Sequence, residues 1–167
     1  MTVIRQEDFV QSIADALQYI SYYHPPDFIQ AMDQAYEKEQ NPAAKDALAQ
    51  ILINSRLCAE GHRPVCQDTG IVTVFLKIGM AVIWQTKSSV SIADMVNEGV
   101  RLAYRNPDNI LRASIVSDPI GQRINTQDNT PAVIHMELVP GSTVSVDIAA
   151  KGGGSEAKAQ LAMLNPS

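Results

Sequence analysis

An α+β fold is predicted: an N-terminal helical layer of about three helices packed on a mainly antiparallel β-sheet, with an additional covering helix. Three observations predict it. Before residue 62 apolar side chains recur every three or four positions, the period of a helix face. After residue 70 they alternate with period two, the pattern of half-buried strands. Near the end, Pro140-Gly141-Ser142 separates two alternating runs and reads as a hairpin turn. Residues 1–61 are therefore expected to form a helical N-terminal segment, and residues 62–167 a β-rich part of the same domain.

Taken in order, Phe9, Ile13, Leu17 and Ile20 form the stripe of a first helix. His24-Pro25-Pro26 stops it, because neither proline can donate a backbone N–H. Asp27 is expected to cap a second helix carrying Phe28, Met32, Ala35 and Tyr36. Asn41-Pro42 pairs a capping side chain with proline at the first helical position. The helix it opens passes Leu48, Ile51, Leu52 and Ser55 to about Cys58, and Gly61 closes it. Strands are expected near 71–84, 111–117, 132–139 and 143–150. Ser91 with Asp94 resembles a capping box for the covering helix, near 91–104, which Asn106-Pro107 ends. Ile134, Met136 and Leu138 share one face of a strand, as do Val144, Val146 and Ile148, so these two runs are expected to pair directly. A short helix is expected over Ala157–Leu164.

The 167 residues carry 18 acidic against 13 Lys or Arg side chains, a net charge of −5. That sign argues against a nucleic-acid partner. No apolar run approaches the roughly 20 residues of a membrane helix, and acidic residues at the start are unlike a secretory signal. Two cysteines are too few for a disulfide framework, so reduced thiols in a cytoplasmic protein are expected.

Four segments hold chemistry-bearing residues. Arg63-Pro64-Val65-Cys66-Gln67-Asp68-Thr69-Gly70 sets a thiol, an amide, a carboxylate and a hydroxyl in four consecutive positions between a helix and a strand. Cys66 suits a thiolate ligand or nucleophile and Asp68 a general acid or base; an ordinary polar turn has the same composition. Lys151-Gly152-Gly153-Gly154-Ser155-Glu156 would let backbone N–H groups approach an anion, or would serve as a flexible connector. Its order matches no nucleotide-binding loop. In Leu111-Arg112-Ala113-Ser114, Arg112 and Ser114 share a face if the segment is a strand, and an arginine fork suits a carboxylate, although a surface ion pair is commoner. Asn125–Pro131 reads either as a polar wall of a site or as a solvated loop with Asx turns. His24, His62 and His135 are not at metal spacing, Cys58 reads as a packed thiol, and the six methionines and Trp84 read as core.

In combination these segments are distinctive. Arg-Pro-Val-Cys-Gln-Asp-Thr-Gly (63–70), Leu-Arg-Ala-Ser (111–114), Asn-Thr-x-Asp-Asn-Thr-Pro-Ala-Val (125–133), Lys-Gly-Gly-Gly-Ser-Glu (151–156) and Ala-Met-Leu-Asn-Pro-Ser (162–167) occur in the order seen in class I, iron–sulfur fumarases. The chain resembles the N-terminal part of that family, and the related L-tartrate dehydratase α-subunits. The resemblance implies a hydro-lyase that reversibly adds water to fumarate to give S-malate. It implies a [4Fe–4S] cluster held by three cysteines, whose fourth iron binds substrate as a Lewis acid. By that resemblance Cys66 is a cluster ligand, Gln67 hydrogen-bonds a substrate carboxylate, and Asp68 assists a threonine base in a C-terminal domain. Arg112 is the implied carboxylate-binding arginine, with Arg101 and Arg105 as competitors, and Gly153 or Gly154 presents backbone to the substrate. The two further cysteines are expected from a C-terminal domain or β-subunit, and the complete enzyme is expected to be a homodimer. The chain alone, with one matching cysteine, is expected to be a truncated region lacking cluster and activity. The alternative is a short non-catalytic homologue that binds a carboxylate or a partner subunit.

Overall fold

A computed structural model describes residues 2–87, 89–152 and 162–164. The α+β class holds. Its elements are β1 (Val3–Arg5), α1 (Gln6–Tyr22), α2 (Pro26–Lys38), α3 (Pro42–Gly61), β2 (Ile71–Gly79), β3 (Ile83–Gln85), α4 (Ile92–Tyr104), β4 (Val116–Ser117), β5 (Ile124–Asn125), β6 (Val133–Val139) and β7 (Val144–Lys151).

The main sheet has the order β6-β2-β7, with β2 in the centre. It is mixed: β2 runs parallel to β6 and antiparallel to β7. This corrects the expected direct pairing of β6 with β7, because β2 lies between them. Strands two places apart are roughly 10 Å from one another, twice the ladder spacing. The Pro140–Thr143 connection reaches that far by passing over the end of β2, where Gly79 N–H donates to Thr143 C=O (2.8 Å) and Met80 N–H to Val139 C=O (2.9 Å). A side chain at Gly79 would collide there, since a Cβ would fall 2.5 Å from the Gly141 carbonyl oxygen.

One face of β2 presents Val72, Val74, Leu76 and Ile78, all buried. Against them pack Phe9, Ile13 and Leu17 of α1 and Met95, Val96 and Val100 of α4. The two helices approach closely at Gly99, where a Cβ would lie 2.6 Å from that of Ile13. The covering helix is thus as expected, and so is its capping box: Ser91 Oγ accepts from Asp94 N–H (3.1 Å) and Asp94 Oδ2 from Ser91 N–H (2.9 Å). Trp84 meets Phe9 edge to face at 5.1 Å. Met95 is core, but Met80, Met136 and Met163 are exposed, against expectation.

The helical layer is thinner than expected. α1 reaches the sheet, whereas α2 buries no residue and α3 buries only Ser55 and Cys58; these two pack on each other. Asn41 caps α3 as its sequence requires, accepting from Ala43 and Ala44 N–H. Asp27 lies inside α2 rather than at its cap, because the helix already begins at Pro26. α3 ends one residue later than Gly61 suggests, with His62 taking the left-handed turn (φ 47°). The segment expected as a strand over 111–117 forms a ladder only at Val116–Ser117, paired to β5. The helix expected over 157–164 falls largely outside the described residues.

Candidate active site

The loop from His62 to Gly70 leaves α3 and enters β2, so a helix end and the central strand fix its two ends. Arg63 N–H donates to Cys58 C=O (3.1 Å), and Val65 N–H to Ser21 C=O (2.8 Å), which ties the loop to α1. Cys58 is the packed thiol expected: buried, with Sγ near Asn54 Oδ1 (3.7 Å) and Pro64 C=O (3.6 Å). Cys66 is exposed, with Sγ 3.3 Å from Gln67 Oε1. Gln67 is exposed and Asp68 half-buried.

Gly70 closes the loop with φ 73°. A Cβ there would fall 2.1 Å from the Lys151 carbonyl oxygen, so only glycine lets the end of β7 come this near. The next residue, Gly152, is less crowded but still tight, since a Cβ on it would lie 3.1 Å from the Asp68 carboxylate. The Asp68 carboxylate and the start of the glycine segment are therefore neighbours. Gly153 and Gly154 lie outside the described residues.

The 111–115 segment runs beside the loop. Thr69 Oγ1 donates a hydrogen bond to the Arg112 carbonyl oxygen. Leu111 is buried and Arg112 and Ser114 are exposed, so burial alternates even without a strand ladder. Among the described residues no carboxylate pairs with the Arg112 guanidinium. Its competitors are engaged: Arg101 Nε donates to Asp128 Oδ2 (3.1 Å) and its guanidinium also pairs with Glu98, while an Arg105 nitrogen lies 3.7 Å from Asp128. Burial pushes the Asp128 carboxyl up, but hydrogen bonds from Thr130 and the Arg101 guanidinium outweigh it and hold the group below the ordinary aspartate range.

Tyr104 escapes the sequence reading, and Asn129 enters it only as one of the polar residues of the Asn125–Pro131 segment. Tyr104, at the end of α4, is 2 % exposed and donates from its hydroxyl to Thr69 C=O (3.0 Å). Burial raises its phenol above the ordinary value, and the negative charge of Asp68 pushes the same way. Its spacing after Val96 and Val100 signals only core. Asn129 is fully buried in the Asn125–Pro131 loop and touches both site segments. That loop does contain the Asx turns expected of it, with Asn125 Oδ1 accepting from Gln127 N–H (2.7 Å) and Asp128 Oδ1 from Thr130 N–H (3.0 Å). A cavity of 80 Å³ lies between the loop and α1, lined by Leu17, Ser21, Cys66, Asp68 and Tyr104 among others.

The three histidines serve elsewhere. His24 Nδ1 meets Ser55 Oγ (2.9 Å), His62 stacks on Tyr22 (4.7 Å), and His135 stacks on Phe75 (4.8 Å). Among the described residues no three His, Cys, Asp or Glu side chains come together as a metal site. No helix is long and apolar enough to cross a membrane among them.

A thiol, an amide and an arginine stand open to solvent here, near a carboxylate set against a glycine backbone. Comparison with known proteins gives the family. The family model described as fumarate hydratase (fumerase) matches residues 10–167, and the chain belongs to that family. It is 31 % identical over 159 residues to a Methanocaldococcus jannaschii protein provisionally named L(+)-tartrate dehydratase subunit alpha, covering 93 % of this chain and 54 % of that one. It is 31 % identical over 126 residues to the anaerobic class I fumarate hydratase of Escherichia coli, covering 75 % and 22 %. With fumarate hydratase 2 of Leishmania major it shares 29 % over 153 residues, covering 88 % and 26 %. The chain thus spans about half the length of the first of these relatives and about a quarter of the others.

Proposed function

We propose that this chain carries the N-terminal part of the active site of a hydro-lyase, acting reversibly on fumarate and water to give S-malate. The observation that carries the reading is the junction itself. The Cys66–Thr69 loop, the Arg112 backbone and the entry to the glycine segment meet at one end of the sheet, through the Thr69–Arg112 hydrogen bond and the Asp68–Gly152 approach. L-tartrate, in the name of the M. jannaschii relative, belongs to the same class of hydroxy dicarboxylate.

Each residue has a role that its chemistry fits. The Arg112 fork, without an ion-pair partner among the described residues, would clamp one substrate carboxylate. The exposed Gln67 amide would donate to a carboxylate, and the backbone of Gly153 or Gly154 would bind beside it. Asp68, held against Gly152, would stabilise or orient the base that moves the proton at the substrate carbon. The family's [4Fe–4S] cluster, when bound, supplies a Lewis acid for the departing hydroxyl. Cys66 fits one ligand position, as an exposed thiol on the site loop. The described residues provide no complete donor set, so two further cysteines and the base would come from a C-terminal domain or a β-subunit. The complete enzyme would be a cytoplasmic homodimer.

Anaerobic iron–sulfur reconstitution, with and without that complementary part, tests the reading. S-malate dehydration and about four irons per site are expected only from the combination. A full cluster on the chain alone would overturn the division of ligands. A loaded combination that dehydrates neither malate nor tartrate would overturn the enzyme reading and leave a non-catalytic carboxylate- or partner-binding homologue.

A further inference from the structure

We infer that Asn129 is a positioning residue, one that sets the separation between the Cys66–Gly70 loop and the segment carrying Arg112. Its significance for catalysis rests on the hydro-lyase reading; its geometry does not.

Asn129 has no exposed surface, and its carboxamide bonds run to backbone far away in sequence. Nδ2 donates to the Gly70 carbonyl oxygen (2.9 Å), while Oδ1 accepts from Ser114 N–H (2.7 Å) and Ile115 N–H (3.1 Å). Gly70 stands two residues after Asp68, and Ser114 two residues after Arg112. The two segments are thus held to one planar group through short lengths of chain. The neighbouring Asp128 instead bonds locally to Thr130 and to the α4 arginine Arg101.

The chemistry selects this side chain. A carboxamide donates at one end and accepts at the other while uncharged, as a buried link between a carbonyl and two N–H groups requires. Aspartate could keep the acceptor half but has no donor for Gly70. The backbone adds a second restriction, since φ is 60° at Asn129, a conformation that asparagine, aspartate and glycine accept more readily than other residues. The Tyr104 hydroxyl donates to Thr69 C=O, so α4 also holds the loop that Asn129 links.

Two variants of the 167-residue chain separate positioning from bulk stability. Asn129→Gly tolerates the backbone and removes all three bonds. Asn129→Asp keeps the two accepted bonds and loses the donated one. Amide hydrogen exchange at Ser114 and Ile115 is read beside that of the β2 amides, and alkylation of Cys66 is followed by peptide mass. With Asn129→Gly, Ser114 and Ile115 should exchange about tenfold faster than β2 accounts for, and Cys66 should alkylate faster. With Asn129→Asp, Cys66 should again alkylate about tenfold faster, while Ser114 and Ile115 stay protected. Loss of protection in constant proportion across Ser114, Ile115 and β2, with unchanged Cys66 alkylation, would overturn the inference. Unfolding of both variants at room temperature would do the same, by making Asn129 a stability residue. Neither measurement uses activity, so failure of the hydro-lyase reading would show separately, as a loaded wild-type enzyme without dehydration.

Discussion

Two polar loops meet at the end of the sheet and use their side chains in opposite ways. In Asn125–Pro131, Asn125, Asp128 and Asn129 bond to other parts of the chain, Thr130 bonds to Asp128, and Asp128 and Asn129 are buried. In Arg63–Gly70, Cys66 and Gln67 stand exposed, and the nearby Arg112 has no ion-pair partner among the described residues. The first loop is spent on holding the chain, and the second leaves polar side chains open to solvent, which the proposed function gives to the substrate. Polar composition alone does not distinguish the two; hydrogen-bond satisfaction does.

The comparison is easiest to break at its two aspartates. In the complete enzyme, Asp68→Asn should lower kcat by about 10²–10⁴-fold while iron content stays near wild type, because the shape survives and the charge that supports the base does not. Steady-state kinetics with iron analysis checks this. Iron lost in parallel with activity would make Asp68 a structural residue of its loop, like Asp128.

The arginines offer the next test. Arg112→Ala should raise KM for the dicarboxylate by about 10- to 100-fold, the loss of a charge-assisted clamp. Arg105→Ala, removing a long (3.7 Å) pair between an exposed guanidinium and the buried Asp128, should change KM by less than about twofold. Equal effects in the two variants would erase the distinction between engaged and available cations.

Smaller effects are expected where the framework loop is altered. Asp128→Asn removes charged hydrogen bonds to Arg101 and Thr130 and should cost about 1–3 kcal/mol, a few degrees in Tm for a chain of this size. Thermal melts of the chain measure it. The pH dependence has a definite sign. The Asp128 carboxyl is held below its ordinary value of 3.8 in the folded state. Its stabilising contribution is therefore full above that value and lost as the pH falls through the lower folded-state value. Acid melts of wild type and Asp128→Asn should converge there; a constant gap down to the lowest pH would contradict the assignment.

Much of the fold can be read along the chain because its signals are local. The Phe9–Leu17 stripe, the Asn41-Pro42 cap and the Ser91–Asp94 box each act within a turn or two and form as expected. Strand neighbours are another matter. Alternation in Ile134–Leu138 and Val144–Ile148 assigns each strand a face but not a partner, and a hairpin split by β2 has the same alternation as a closed one. α2 forms as expected, but its packing on the sheet does not follow from its stripe: a helix with an apolar stripe packs equally well on a neighbouring helix as on a core, and here it meets α3. At the site, Cys66, Gln67, Asp68 and Arg112 attract notice by chemical type and adjacency. Asn129 and Tyr104 do not, because their importance lies in bonds to Gly70, Ser114 and Thr69 across 15 to 59 residues of sequence.

The central claim is that Cys66 belongs to the site and Cys58 to the packing, and iron retention by the assembled enzyme tests it most directly. Cys66→Ser and Cys58→Ser are reconstituted anaerobically beside wild type, desalted, and assayed for iron and S-malate dehydration. Cys66→Ser should lose both. Cys58→Ser, altering a buried thiol with only weak sulfur contacts, should keep both near wild type. Equal iron and equal activity in the two variants would contradict the account.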